Sequence, residues 1–218
     1  MAAFPLQSTE IPGFKIPEGS KILLIGKTLS GKTEMTKRLI KHREAVFEKS
    51  PERIICSFRF KQDWVDELGD IVEFIPAGTL PTDIDGSYSS LLIIDDLEEK
   101  NFESVSEWFI RNGRHLRCTV MVTYQALYAN SSHYRVINQN ADFLILFYTV
   151  RNMHQISLLG RELYGRDKDK LSKFIEIYNN CVARPHGYLL IDLTAGAPFR
   201  LRTFILPDDG EFESVFAL

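Results

Sequence analysis

Gly26, Lys27, Thr28, Leu29, Ser30, Gly31, Lys32 and Thr33 form the segment with the clearest chemistry in this chain. They match G-x-x-x-x-G-K-[ST], a pattern whose backbone N–H groups wrap around phosphate oxygens. The apolar run Ile22 to Ile25 precedes it and a helical pattern follows. The two glycines let the backbone turn and approach an anion closely. A helix opening near Gly31 directs its positive dipole end at the same place. Lys32 adds a point charge for β- and γ-phosphate oxygens, and Thr33 offers a hydroxyl to Mg²⁺. Glu34 is an unusual neighbour for phosphates, but it suits a first helical turn when it points away.

A second segment supplies what the loop lacks. The stretch "LLIIDDLEE" is an apolar strand ending in acid. In a parallel sheet Asp95 stands at the carboxyl edge beside the phosphate loop, where a carboxylate holds Mg²⁺ directly or through water. Its plainer role is a turn residue at a strand end. Asp96 reads as the group that polarises an attacking water, against the alternative of a helix cap or a solvated acid. Glutamate is commoner there in ATPases, so the shorter Asp96 sets the water differently, and Glu98 is the reserve. The strand "CTVMVTYQ" reaches the same edge with Thr123, Tyr124 and Gln125. The Gln125 amide can donate to a γ-phosphate oxygen and accept from water, which suits a phosphate sensor; a polar strand terminator is the other reading. Arg111, Arg114, His115 and Arg117 cluster just before this strand, toward its opposite edge. An arginine there is far from its own chain's nucleotide but can reach a neighbour's in a ring. Arg114 is the candidate for that finger, acting on charge at the transferring phosphoryl group; a basic surface loop is the alternative.

These residues need a scaffold that brings distant segments to one edge. Continuous apolar runs, "KILLIG", "RIICSF", "IVEFIP", "SLLIIDDL", "CTVMVTYQ" and "DFLILFYTV", alternate with helical patterns. That is the signature of an α/β fold, a mostly parallel sheet with helices on both faces. Helical spacing covers "GKTEMTKRLIKHREAVFEK", with Met35, Leu39, Ile40 and Val46 inward, and "FESVSEWFIRNG", with Phe102, Val105, Trp108 and Phe109 inward. A short helix is expected in "KQDWVDEL", and longer ones over 152–164 and 168–180. "GYLLIDL" and "FRLRTFIL" read as a C-terminal antiparallel strand pair. Residues 1–20, with Pro5, Pro12, Pro17, Gly13 and Gly19, read as an extended arm with a short strand near Phe14; residues 21–218 read as a single P-loop ATPase domain.

Composition bounds the remaining possibilities. The chain has 218 residues, 44% hydrophobic and 25% charged, as a globular protein of one sizeable core requires. Its net charge is −3 and its pI about 6.0, so nucleic acid would have to be met by a local patch, a pore or a partner. Arg135, Arg151, Arg161, Arg166, Lys168 and Lys170 are candidate contacts, although Asp167 and Asp169 dilute the last run toward an ordinary solvated helix boundary. Cys56, Cys118 and Cys181 have no metal-ligand spacing and read as core thiols in a reducing compartment. The start "MAAFPLQSTEIPGF" lacks the pattern of a signal peptide, and the longest apolar run, "ADFLILFYTV", is too short for a membrane helix. The expectation is a protein inside the cell, or packed in a particle, with no membrane contact. No N-K-x-D run reads guanine and no L-S-G-G-Q signature is present. A nucleoside kinase would need an arginine-rich acceptor pocket, and the double Asp with a strand-end Gln argues against one.

Together these segments resemble viral genome-packaging ATPases of the poxvirus, Polinton and virophage type, in the FtsK/HerA superfamily. The resemblance rests on "GKTLSGKT", "LLIIDDL", "GRHLRCTVMVTYQ" and "YLLIDLTAGAPFRLRTFIL", and spans about residues 20–206. It implies a RecA-like P-loop core, ATP and Mg²⁺ as cofactors, and a homo-oligomeric, hexameric ring. It further implies threading of double-stranded DNA into a capsid, with capsid vertex proteins as partners. Lys32, Thr33, Asp95, Asp96 and Gln125 match motif positions directly, and Arg114 matches by its distance before the glutamine, as in conjugative coupling ATPases. The chain departs from that pattern in lacking an appended DNA-binding domain and in its acidic balance.

Overall fold

In the computed structural model, residues 13–58, 64–112, 115–149, 153–194 and 200–218 are described. Six strands run parallel: β1 (Lys21–Ile25), β2 (Arg53–Phe58), β3 (Glu73–Pro76), β4 (Ser90–Ile94), β5 (Cys118–Tyr124) and β6 (Phe143–Phe147). Three more, β7 (Tyr188–Asp192), β8 (Leu201–Thr203) and β9 (Ser214–Phe216), continue the sheet antiparallel. The spatial order is β3-β2-β4-β5-β1-β6-β7-β8-β9. β1 therefore lies between β5 and β6, and the loop that leaves its carboxyl end is flanked by the ends of both. Crevices at such points of an open α/β sheet are where ligands bind.

Strand residues alternate between two cores, as the period of a pleated strand dictates. Leu23, Leu92, Val120, Val122 and Leu144 face one side, where α4 (Phe102–Asn112), α5 (Ser132–Gln139), α6 (Met153–Tyr164) and α7 (Lys168–Cys181) pack. Ile22, Leu24, Ile93, Met121 and Ile145 face the other, covered by α1 (Lys32–Lys41), α2 (Arg43–Val46) and the region of α3 (Val65–Leu68) through Trp64 and Val72. Phe14 and Ile16 belong to this second core, so the segment before β1 is packed against the sheet from residue 14 onward. The three thiols are buried, and burial first of all pushes each up to about 12, which keeps them protonated and unreactive.

Three departures from the sequence expectation have identifiable causes. The first helix does not run on to Lys49; it stops at Lys41 and resumes as the single turn α2. Tertiary pairing wins over helical spacing, because Ile16 bridges Phe47 and bonds on either side of it, N–H to Val46 O at 2.8 Å and O from Glu48 N–H at 2.9 Å. β9 adds a third antiparallel strand beyond the expected pair; at three residues it is too short to show a period. Helix α5 was not foreseen, although Ser131 caps it by accepting from Tyr134 N–H and Tyr134 and Ile137 recur at helical spacing.

The turn after β8 is tied to α1 by a polar cluster. Arg38 donates to Asp208 and Asp209 at 2.5 and 2.9 Å, and Tyr188 donates its hydroxyl to Asp209 at 2.7 Å. Asp209 also accepts from Leu206 N–H at 2.9 Å. Burial works against the charge on Asp208, but hydrogen bonds from Arg38 and His42 outweigh it and hold its carboxyl down at about 2. A carboxyl held below its unfolded value adds stability above the ordinary carboxylate range, and that contribution is lost as pH falls toward 2. Asp209 is the more buried partner, with its side chain 6% exposed. Asp209→Ala leaves Arg38 and the Tyr188 hydroxyl short of acceptors. It is expected to cost about 2 kcal/mol and to lower Tm by roughly 5 °C in thermal unfolding at neutral pH. An unchanged Tm would mean that the cluster is ornamental.

Candidate functional site

The loop from Gly26 to Gly31 leaves β1 and enters α1 in a tight wrap. Gly26 N–H donates to Tyr124 O at 3.2 Å, which fixes the start of the loop against β5. A Cβ at Gly26 would lie 2.4 Å from Ser30 Oγ and 2.8 Å from Phe147 Cβ, so only glycine fits. Gly31, at the head of α1, has φ 112°, a conformation glycine tolerates best. Between them Leu29 takes φ 62° and is 95% exposed at the loop tip. Lys32 reaches back across the loop and donates to Gly26 O at 2.6 Å and Lys27 O at 3.0 Å. Burial lowers its pKa, while the charges of Asp96 and Asp95 oppose that shift.

The acids arrive from two strands away. Ile94 pairs with Val122 in register, so the next residues, Asp95 and Thr123, also stand side by side. The buried Thr123 hydroxyl donates to Asp95 Oδ1 at 2.9 Å and accepts from Asp96 N–H at 2.7 Å. Leu97 N–H completes the anchor on Thr123 O at 3.0 Å. Asp96 takes φ 53°, which turns the chain sharply at the strand's end. One threonine thus holds the Asp95 carboxylate and the Asp96 backbone. Its signal in the sequence was a hydroxyl inside an apolar strand, a group that must find a partner when buried.

A single cavity of about 470 Å³ collects these residues. Its walls include Thr28, Leu29, Gly31, Lys32, Thr33, Asp95, Asp96, Thr123, Gln125 and His186. The expected phosphate loop, acids and sensor glutamine are therefore brought together. Arg114 and Arg151 lie outside the described residues. Arg135, Arg161, Arg166, Lys168 and Lys170 are all exposed, and Asp167 caps α7 by accepting from Asp169 and Lys170 N–H groups. His186 was not foreseen. It comes from the turn before β7, and because β7 is antiparallel its first residue, Tyr188, pairs with Phe147 at the carboxyl edge. The sequence held no signal for this, since it depends on strand direction.

Beyond Gln125 the loop is held by side chains. Tyr134 donates its hydroxyl to Ala126 O at 2.7 Å, and Asn138 donates to Leu127 O at 2.6 Å. Gln155 accepts from Leu127 N–H at 3.0 Å, and Tyr128 donates to Glu162 at 2.7 Å. Phe102, Tyr124 and Tyr134 pack ring against ring, with centroids 4.6–5.5 Å apart.

Hard oxygen donors suit Mg²⁺, and the Thr33 hydroxyl and Asp95 carboxylate share this cavity. Among the described residues no group of three or more His, Cys, Asp or Glu could hold a metal by itself. Among the described residues no helix is long and apolar enough to cross a membrane.

No protein-family model matches the chain, and no curated protein matches it in sequence. Solved structures do resemble it. The genome packaging NTPase B204 from Sulfolobus turreted icosahedral virus 2, in complex with AMPPCP, aligns with 80% of this chain and 93% of its own, at TM-score 0.53 and 16% identity. B204, the DNA-packaging ATPase from Sulfolobus turreted icosahedral virus, aligns with 82% of this chain and 94% of its own, at TM-score 0.51 and 15% identity. The cytoplasmic domain of the Thermomonospora curvata type VII secretion ATPase EccC aligns with 92% of this chain and 25% of its own, at TM-score 0.51 and 13% identity. The likeness is one of fold, and the fold is the RecA-like P-loop arrangement, with its mostly parallel sheet extended by antiparallel C-terminal strands.

Proposed function

We propose that this protein is an ATP-hydrolysing motor that moves double-stranded DNA, as in the packaging of a viral genome. The observation that carries the reading is the convergence of Lys32, Thr33, Asp95, Asp96 and Gln125 on one cavity at the carboxyl edge of the sheet. The resemblance of the motif set to packaging ATPases and the fold shared with two of them support it.

In this reading the loop N–H groups and Lys32 hold the β- and γ-phosphates. Thr33 and Asp95 hold Mg²⁺, which when bound neutralises charge on the phosphate oxygens. Asp96 orients and polarises the water for in-line attack, and Gln125 reports whether the γ-phosphate is still attached. Arg114 of a neighbouring subunit stabilises the transferring phosphoryl group in a homo-oligomeric ring. DNA meets exposed arginines and lysines through its phosphates, so binding is tolerant of sequence and sensitive to salt.

ATP turnover measured with and without linear double-stranded DNA tests the proposal. Stimulation of at least about threefold, fading as salt rises, is the expected result. The same fold serves a secretion ATPase, so the DNA arm of the assay identifies the cargo. Turnover that ignores DNA would remove the translocase, and turnover that needs a small hydroxyl acceptor would make the protein a phosphotransferase.

A further inference from the structure

We infer that His186 forms the nucleoside-side wall of this site, contacting the ribose and base of the bound nucleotide rather than its phosphates. The inference rests on the ATP-site reading above and adds the direction in which the nucleotide lies.

The direction follows from the order of strands. The two acids follow β4, and Gln125 follows β5, on one side of β1. The group that reacts with water must lie with Asp96 and Gln125, so the terminal phosphate points toward β4 and β5. The loop holds the middle of the triphosphate. The nucleoside then leaves on the opposite side, toward β6 and β7. His186 is the cavity residue that stands there, delivered by the turn before β7.

The histidine is built against the loop itself. A Cβ on Gly31 would come within 3.1 Å of His186 Cβ and 3.2 Å of its Cα. The absent side chain of Gly31 is thus the space that His186 fills. Arg184, Pro185, His186 and Gly187 form a tight turn closed by Gly187 N–H to Arg184 O at 3.0 Å. Proline sits at its second position and His186 at its third, with φ 59°, the position where glycine or asparagine is usual. The turn is braced from behind, because Arg184 stacks on the Phe204 ring at 4.4 Å and pairs with Glu211 at 2.8 Å. An exposed imidazole on a braced turn is a flat, polar-edged surface, suited to a base plane or ribose hydroxyl.

The test separates nucleoside from phosphate. Calorimetric titration of the full chain with ATP and with inorganic tripolyphosphate, each with Mg²⁺, is compared for the wild type, Lys32→Ala, His186→Asn and His186→Gly. Asparagine and glycine both accept a left-handed φ, so the turn is kept in either variant. The expected result is ATP affinity about tenfold weaker in both His186 variants, with tripolyphosphate affinity unchanged. Lys32→Ala should weaken both ligands. Wild-type ATP affinity in the His186 variants, or equal loss for ATP and tripolyphosphate, would overturn the inference while leaving the phosphate loop in place. A wild-type chain that binds neither ligand would remove the ATP site and this wall together.

Discussion

Lys32→Ala is expected to lower ATP turnover at least about a hundredfold and to weaken ATP binding strongly. The ammonium crosses the mouth of the loop, with Gly26 O and Lys27 O as its partners, and shares the cavity with Asp95 and Asp96. Its removal takes a positive side chain out of the cavity and leaves two carboxylates facing an incoming polyanion. Binding therefore loses attraction and gains repulsion, so the loss should exceed that of one hydrogen bond. A steady-state phosphate-release assay and calorimetry on the same preparation check the two parts. Full turnover in this variant would take the loop out of the chemistry.

Asp96→Asn should separate chemistry from binding. The backbone of Asp96 is anchored by its N–H on Thr123 Oγ1 at 2.7 Å and has φ 53°, a conformation asparagine tolerates. The substitution therefore keeps the geometry and removes the charge proposed to polarise water. Turnover is expected to fall by a factor on the order of 10²–10⁴, with ATP affinity within about threefold of the wild type. Single-turnover kinetics with a binding titration measure both. A defect confined to binding would assign Asp96 to the metal, because a metal ligand is felt in the ground state.

The parts of this site legible in the sequence are those made by one short segment each. The phosphate loop is eight successive residues, and Asp95 is the acid that ends a fully apolar strand; neither needs knowledge of distant neighbours. The parallel strands were equally legible, since five of the six are largely buried on both faces and read as continuous apolar runs, while β3 is a half-exposed edge strand. What escaped depends on tertiary arrangement. Thr123 matters because register places it beside Asp95. His186 matters because β7 runs against its neighbour. The break at His42 comes from Ile16 pairing with Phe47, thirty-one positions along the chain. No local pattern encodes the last two, and for Thr123 the sequence shows a hydroxyl in an apolar strand but not the partner that register gives it.

The clamped segment after Gln125 has a mechanical meaning. Side chains of α5 and α6 grip its backbone at Ala126, Leu127 and Tyr128. A linkage fastened at consecutive joints has little backlash. In the proposed motor a displacement of Gln125 would pass through these bonds to α5 and α6, which carry the exposed Arg135 and Arg161. If the protein is the motor proposed above, this linkage would carry a displacement at Gln125 to those arginines, and loosening a single joint such as Asn138 would weaken it.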